Sequence, residues 1–330
     1  MTPKSTHTRV AVIGAGVMGR YHAAVYTALP SASLVAVVDP DGAARDYAAS
    51  QYGCDVFESV DAMLAATHVE AASVAAPTSL HHAVSTRLLE AGVHILVEKP
   101  VATDVAQARE LAALSRLRGR VMQVGHITRF YRAVQLLKRE VTRPYLIEAR
   151  RLTPNTRIKD VGVILDLMIH DIDIVLGLVS SPVAEVSVAG HALNGSVHED
   201  VAAAQITFTD GCIARFLASR VAPDAERSLV VAEANQTFRL DFAREPHTEI
   251  AIYRPQPSAG DGNHVHVDRH VVFEDNPLRK ELEHFLARIR QAESPIGTLE
   301  DDLRSLTLAT DLMARLRASG RHATFPAVET

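Results

Sequence analysis

Three clusters in this chain combine residue types and spacings suited to chemistry. The first is Gly14-Ala15-Gly16-Val17-Met18-Gly19. A G-x-G-x-x-G that follows an apolar run and opens a helix points free backbone N–H groups, here those around Val17 and Met18, toward an anion at the helix N-terminus. In this pattern Gly14 permits the tight turn, Gly16 lets the backbone approach a pyrophosphate, and Gly19 lets helix and strand pack closely. Asp39 ends the next apolar run, the place from which a carboxylate accepts hydrogen bonds from an adenosine ribose diol. A bound dinucleotide is therefore expected. A carboxylate at 39 would repel a 2′-phosphate, and Pro40 and Asp41 bring no cation, so NAD is expected over NADP. Arg45, further along the next helix, is the group that could reverse that preference.

The second cluster is Glu98-Lys99-Pro100, directly after the run VHILV. Lys99 is placed to project from the carboxyl edge of a parallel sheet, where open α/β folds bind ligands. An ammonium there would lower the cost of an alkoxide-like transition state as a hydride leaves the same carbon. Ala76-Pro77-Thr78 turns at the same edge with His81 on the following helix; the loop could line the cofactor cleft, or Thr78 and Ser79 could serve only as helix caps. The third cluster is Asp166 and His170 on a predicted helix over 162–178, where residues four apart share a face. A histidine titrates near neutrality and can accept a substrate proton, with the carboxylate one turn away holding it or a hydroxyl. Two assignments stay open: His170 as general base with Lys99 stabilising the alkoxide, or Lys99 as base with its pKa lowered by burial.

These groups need a scaffold, and the residues between them supply its outline. RVAVIG, LVAVVD, AASVAA, VHILVE and RVMQVG are short apolar runs without polar alternation, as expected of parallel strands buried on both faces. Helical spacing of apolar residues over 21–29, 80–91 and 105–118 supplies the crossovers, so a doubly wound Rossmann sheet is expected over 1–127. From 128 to 330 the pattern changes. A helix over 133–140, a strand over 145–152 and the helix over 162–178 precede strands over 183–189, 201–208, 212–220, 228–233 and 237–242. Thr209-Asp210-Gly211 and Ala234-Asn235 suit hairpins. An α+β domain with an open, largely antiparallel sheet is expected, with a loop over 255–263 and two closing helices over 278–292 and 300–319. The last helical segment could pack back on the first domain.

Composition narrows the functional classes. Of 330 residues, 47% are hydrophobic and 22% charged, enough apolar material for two cores. A net charge of -5 argues against nucleic acid, whose binding needs a basic face. Cys54 and Cys212 make no ligand spacing, so neither a metal site nor a disulfide is indicated and a reducing cytoplasm is expected. No run reaches the roughly 18 apolar residues of a membrane span.

Taken together, G-x-G-x-M-G-x-x-H over 14–22, Glu98-Lys99-Pro100, Gly125-His126 with Arg129-Phe130, and Asp166-x-x-x-His170 resemble the Gfo/Idh/MocA oxidoreductases, over essentially the whole chain. The resemblance implies a Rossmann domain for a nicotinamide dinucleotide and an open-faced sheet carrying the substrate site and an oligomer interface, in a homodimer or homotetramer. It assigns catalysis to Lys99, Asp166 and His170, cofactor contacts to Pro77, Thr78, His81, Glu98 and Lys99 beside the glycine loop, and substrate contacts to Lys99, His126, Arg129, Asp166 and His170. The family's G-H-x-x-R-F segment often continues Asn-Pro, where this chain has Tyr131-Arg132.

The stretch from Asp160 to Asp173 is similar to the branch that oxidises the 3-hydroxyl of UDP-N-acetylglucosamine or related UDP-sugars. That likeness implies a 3-keto sugar for later transamination in envelope glycan or lipid A synthesis. Arg150, Arg151, Arg157 and Lys159 precede it and could grip a diphosphate bidentately, Arg157 foremost, or lie as a solvated surface. A dehydrogenase of a free polyol or monosaccharide, which needs no phosphate site, and a nicotinamide-binding sensor without turnover are the remaining alternatives.

Overall fold

A computed structural model of the chain describes residues 7–154, 160–193, 196–243, 247–256, 264–273, 276–318 and 322–325. It divides into two compact units, Met1–Ile127 with Asn276–Leu303, and Thr128–Asp275 with Arg304–Thr330.

The first unit alternates β1 (Thr8–Ile13), α1 (Val17–Ala28), β2 (Ala32–Val38), α2 (Gly42–Tyr52), β3 (Asp55–Phe57), α3 (Val60–Ala66), β4 (Ala71–Val74), α4 (His81–Glu90), β5 (His94–Glu98), α5 (Val105–Leu117) and β6 (Met122–Gly125). Its strands form one parallel sheet in the order β3-β2-β1-β4-β5-β6, the Rossmann order that reverses between β1 and β4. β4 is buried along its whole length, as the unbroken apolar run requires. Local chemistry sets the helix ends. Asp41, Ser59 and Asp104 accept first-turn amides at the starts of α2, α3 and α5, and Gly53, at φ 62°, stops α2 in the left-handed region that only glycine enters freely.

The second unit contains α6 (Arg132–Glu140), β7 (Leu146–Leu152), a π-turn at Ile164–Met168 continuing as α7 (Ile169–Leu178), then β8 (Val183–Leu193), β9 (Val201–Phe208), β10 (Ile213–Ser219), β11 (Glu226–Ala232), β12 (Thr237–Asp241), β13 (His247–Gln256) and β14 (His264–Phe273). Two helices follow, α8 (Pro277–Ile289) and α9 (Leu299–Ala318), and then β15 (His322–Phe325). The sheet order is β14-β13-β12-β11-β7-β10-β9-β8-β15, antiparallel except where β10 meets β7 and β15 meets β8. Along β9, Ala202, Ala204, Ile206 and Phe208 are buried while Ala203 and Gln205 are exposed, the period-2 pattern of a sheet covered on one face. The π-turn lies against β10 on the covered face.

Three features of the fold depart from what the sequence pattern leads one to expect. β3, β13, β14 and β15 lie outside the strands expected from the sequence, and the expected loop over 255–263 begins inside β13 with its remainder outside the described residues. The third is α8. Asn276 caps it and Pro277 opens it, and Leu282, Phe285 and Leu286 are at most 1% exposed in one core with Val10, Val12, Ala23 and Tyr26. Burying each such side chain contributes about 1.5–3 kcal/mol, so 276–303 belong with the first unit although the sequence placed them in a continuous second domain.

Candidate active site

The glycine loop shows why each glycine is there. Gly14 has φ +95°, and a Cβ on it would lie 2.7 Å from the Ala75 carbonyl oxygen, where the β1 and β4 loops meet. A Cβ on Gly19 would lie 1.7 Å from the Gly14 carbonyl oxygen. Gly16 differs: its φ is an ordinary -68° and no atom lies within 4 Å of where a Cβ would stand. The space is open in front of the α1 N-terminus, where no side chain caps the helix and no acidic residue sits in the first turn. Arg20 donates the first helical bond, to Gly16 O at 3.0 Å, so the amides of Val17, Met18 and Gly19 face that opening. A cradle that a Cβ would fill, lined with unspent donors, fits a dinucleotide pyrophosphate.

Asp39 bounds this cradle. Its Oδ2 accepts the Ala15 amide at 2.7 Å and its Oδ1 the Asp41 amide at 2.9 Å, so the carboxylate is locked against the loop before any ribose arrives. Each carboxylate oxygen keeps further lone-pair capacity for a hydroxyl donor. Arg45 turns its Nη1 onto the carbonyls of Asp39 and Pro40, at 2.8 and 2.9 Å. Arg20 lies over the Tyr47 ring at 4.0 Å and donates from Nε to Ala15 O at 3.0 Å. This cation–π wall of the loop was not anticipated, because nothing local in sequence links residues 20 and 47.

At the carboxyl edge of β5, Lys99 is half-buried and precedes Pro100 through a cis peptide. Beneath it is a buried polar support. Glu98 is 9% exposed and accepts from His22 Nε2 at 3.0 Å. A Cβ on Gly125 would come within 3.1 Å of that carboxylate, so the glycine of the Gly125-His126 pair makes room for it. Burial pushes the Glu98 carboxyl upward, but the hydrogen bond and charge of His22, with Lys99 and His81 nearby, outweigh it and hold the group below the usual carboxylate range. His81 is 2% exposed, with Nδ1 at 2.8 Å from Pro100 O and Nε2 at 2.9 Å from Ala76 O. Both partners are backbone carbonyls, which accept hydrogen bonds and cannot donate them. The ring ties the loop after β4, with Pro77 and the buried Thr78, to the loop of Lys99. His126, 2% exposed, has Nε2 3.7 Å from Asp302 Oδ1.

In the second unit Asp166 lies inside the π-turn and is 4% exposed, while His170 is half-buried on the first turn of α7. The predicted continuous α-helix is thus interrupted where the chemistry is expected, and the wider turn changes how the pair stacks. Arg151 donates to Asp171 from Nε at 3.1 Å and Nη2 at 2.7 Å. Burial lowers the proton affinity of that guanidinium, but Asp171, then Tyr131 and Asp166, more than restore it. Arg129 forks onto Asp173 at 2.8 and 2.5 Å, and Ser305 Oγ adds a bond to Asp173 at 3.0 Å. At 6% exposure Arg129 has these donors committed to α7. Of the expected basic cluster, Arg150 and Arg151 turn to opposite sides, as neighbours on a strand do: Arg150 pairs with Glu226 on the open face of the sheet. Arg157 and Lys159 lie outside the described residues.

Comparison with known proteins agrees with this architecture. The family model described as "Oxidoreductase family, NAD-binding Rossmann fold" matches residues 8–126, and the "GFO/IDH/MocA C-terminal domain" matches 133–239. UDP-N-acetylglucosamine 3-dehydrogenase of Acidithiobacillus ferrooxidans is 37% identical over 238 residues, covering 72% of this chain and 74% of the relative. A solved structure of that organism's UDP-N-acetylglucosamine 3-dehydrogenase superposes with TM-score 0.86 at 32% identity, covering 94% of this chain and 98% of the other. The scyllo-inositol 2-dehydrogenase (NAD(+)) of Bacillus subtilis is 28% identical over 313 residues, 88% of each chain. With both family models matched in order and a glycine loop shaped for a pyrophosphate, the chain belongs to the Gfo/Idh/MocA family of oxidoreductases, its first domain being the NAD-binding Rossmann domain.

Proposed function

We propose that the protein oxidises a secondary hydroxyl of a sugar, the 3-hydroxyl of UDP-N-acetylglucosamine or a related UDP-sugar, with NAD in preference to NADP. The observation that carries this reading is the likeness to UDP-N-acetylglucosamine 3-dehydrogenase, at 37% identity and with the fold shared over 94% of the chain. The bound dinucleotide supplies the hydride acceptor. The imidazole of His170 takes the hydroxyl proton, the Lys99 ammonium stabilises the alkoxide that develops, and Asp166 orients the histidine or a neighbouring hydroxyl. Asp39 favours NAD, because its fixed negative charge repels a 2′-phosphate and Arg45 is turned onto backbone carbonyls. The product would be a 3-keto sugar, a substrate for transamination in envelope glycan or lipid A synthesis.

We further propose a homodimer or homotetramer, joined through the open face of the second sheet. Glu148, Arg150, Arg215 and Glu226 set charges of both signs beside Arg239 and Tyr253 around a concavity of about 900 Å³ on that face. The protein is proposed to work in the cytoplasm; among the described residues no helix is long and apolar enough to cross a membrane.

A polyol substrate is the second reading, favoured by the inositol dehydrogenase that matches over 88% of the chain. Incubation with UDP-N-acetylglucosamine or with scyllo-inositol, each with NAD, followed by NADH absorbance, separates the two. Turnover of the nucleotide sugar alone supports the first, and turnover of the polyol alone supports the second. Charge reversal at Arg157 should weaken UDP binding and leave NAD binding unchanged; if UDP does not bind the wild type at millimolar concentration, the UDP-sugar reading fails.

A further inference from the structure

The helix that carries Asp166 and His170 starts on a buried seat. A Cβ on Gly162 would fall 2.1 Å from the Glu199 carboxyl carbon and 2.1 and 2.2 Å from its oxygens. The carboxylate therefore fills the space that any other side chain at 162 would need. Glu199 is 5% exposed. Its Oε1 accepts the Ile164 amide at 3.1 Å, and its backbone carbonyl accepts the Val163 amide at 3.1 Å. First-turn amides have no acceptor within their own helix, and negative charge there complements the positive end of the helix dipole. One residue thus satisfies two consecutive donors, by side chain and by backbone.

The neighbours of Glu199 extend the seat. Asp200 accepts Arg220 Nε at 2.5 Å and the Leu193 amide at 2.7 Å. Arg220 in turn donates from Nη1 to Val161 O at 3.0 Å and from Nη2 to Ser196 Oγ at 3.1 Å. Residue 161 is held by the guanidinium and residues 163 and 164 by Glu199, so the chain is fixed on both sides of the glycine just before the π-turn.

That turn gives the seat its consequence. A π-turn holds one residue more than an α-turn and is rare without external support. Relaxing it to α would move the residues before His170 by one position, roughly 100° around the helix axis, and would carry Asp166 with them. We propose that Glu199, with Gly162 making room for it, is a positioning residue for the reaction: it holds the π-turn that sets Asp166 against His170. This rests on the proposed roles of Asp166 and His170, and Glu199 acts through the helix and not on the reacting atoms.

The test combines turnover, cofactor binding and amide exchange in the full chain, for Glu199→Ala, Glu199→Gln, Gly162→Ala and the Gly162→Ala/Glu199→Ala double variant. Misplacing a catalytic group by an ångström can cost about 10²-fold. kcat with UDP-N-acetylglucosamine should therefore fall about 10- to 100-fold in Glu199→Ala and Gly162→Ala, with NAD affinity within about twofold of wild type. Glu199→Gln, whose amide oxygen can still accept the Ile164 amide, should recover most of the rate. The double variant should be no worse than Gly162→Ala, because both changes empty the same seat. The Ile164 amide should exchange faster in both alanine variants and not in the glutamine variant. If the wild type turns over neither UDP-N-acetylglucosamine nor scyllo-inositol, the substrate reading fails, and exchange at Ile164 still decides the seat. Unchanged exchange and turnover in Glu199→Ala, or a loss of NAD affinity as large as the loss of rate, would overturn the proposal.

Discussion

Gly16→Ala should separate binding from folding within a single loop. The backbone at 16 is already at φ -68° and the added Cβ meets no atom within 4 Å, so the folded protein can accept alanine without strain. Alanine also restricts the unfolded chain, which by itself stabilises by about 0.4–1 kcal/mol. The melting temperature should stay level or rise slightly. The same Cβ occupies the ground a pyrophosphate must cross to reach the α1 amides, so NAD affinity should fall at least about tenfold, or about 1.4 kcal/mol. Gly19→Ala is the control. Its Cβ would stand 1.7 Å from the Gly14 carbonyl oxygen, and carbon normally stays beyond about 3.3 Å from such an oxygen, so the helix start must move by roughly 1.6 Å. Overpacking of that kind costs about 1–3 kcal/mol, equivalent to about 2–12 °C in a domain of this size. Thermal unfolding followed by far-ultraviolet dichroism, with calorimetric titration of NAD, reads both quantities. The reasoning is refuted if Gly16→Ala binds NAD like the wild type, or if it melts as low as Gly19→Ala.

Other expectations follow from the same geometry. Asp39→Ala should narrow the gap between NAD and NADP affinity in paired titrations; tighter binding of NADP by the wild type would remove the role given to Asp39. His170→Ala should lose about 10²- to 10⁴-fold in turnover while holding NAD, and Lys99→Met a comparable factor. In the oxidation direction the wild-type rate should rise with pH through a limb that His170→Ala lacks; near-normal turnover in that variant with the limb intact makes Lys99 the base. His94 provides a stability measurement. Burial, with Arg120 beside it, lowers its pKa from 6.5 to about 4, and its Nδ1 accepts the Val121 amide at 2.8 Å. Between those pH values the unfolded chain binds more protons than the folded one, so the melting temperature should fall as pH drops from 6.5 to 4. His94→Asn should flatten that slope, and an unchanged slope would show that His94 does not cause it.

What could be read from the sequence was what neighbours along the chain decide. The spacing of Gly14, Gly16 and Gly19 reports backbone conformations within six residues, and runs such as AASVAA report burial on both faces of a strand, so the Rossmann sheet and its family are legible in the sequence. The second sheet was legible where its strands alternate cleanly, as β9 does. Tertiary structure decided which polar groups face one another. His22 meets Glu98 across 76 positions and Arg129 meets Asp173 across 44, pairings that no local pattern encodes because they exist only once strands and helices have packed. The sequence leaves the basic residues before 160 open between a diphosphate grip and a solvated surface, and strand geometry sends Arg150 to the open face and Arg151 to Asp171. The predicted helix over 162–178 became a π-turn and an α-helix, with Glu199, 35 residues away from Ile164, seated against its first turn. Periodicity carries the hydrophobic face of a helix, but the exact turn is set by what its end must bond, and here that acceptor comes from a distant strand margin.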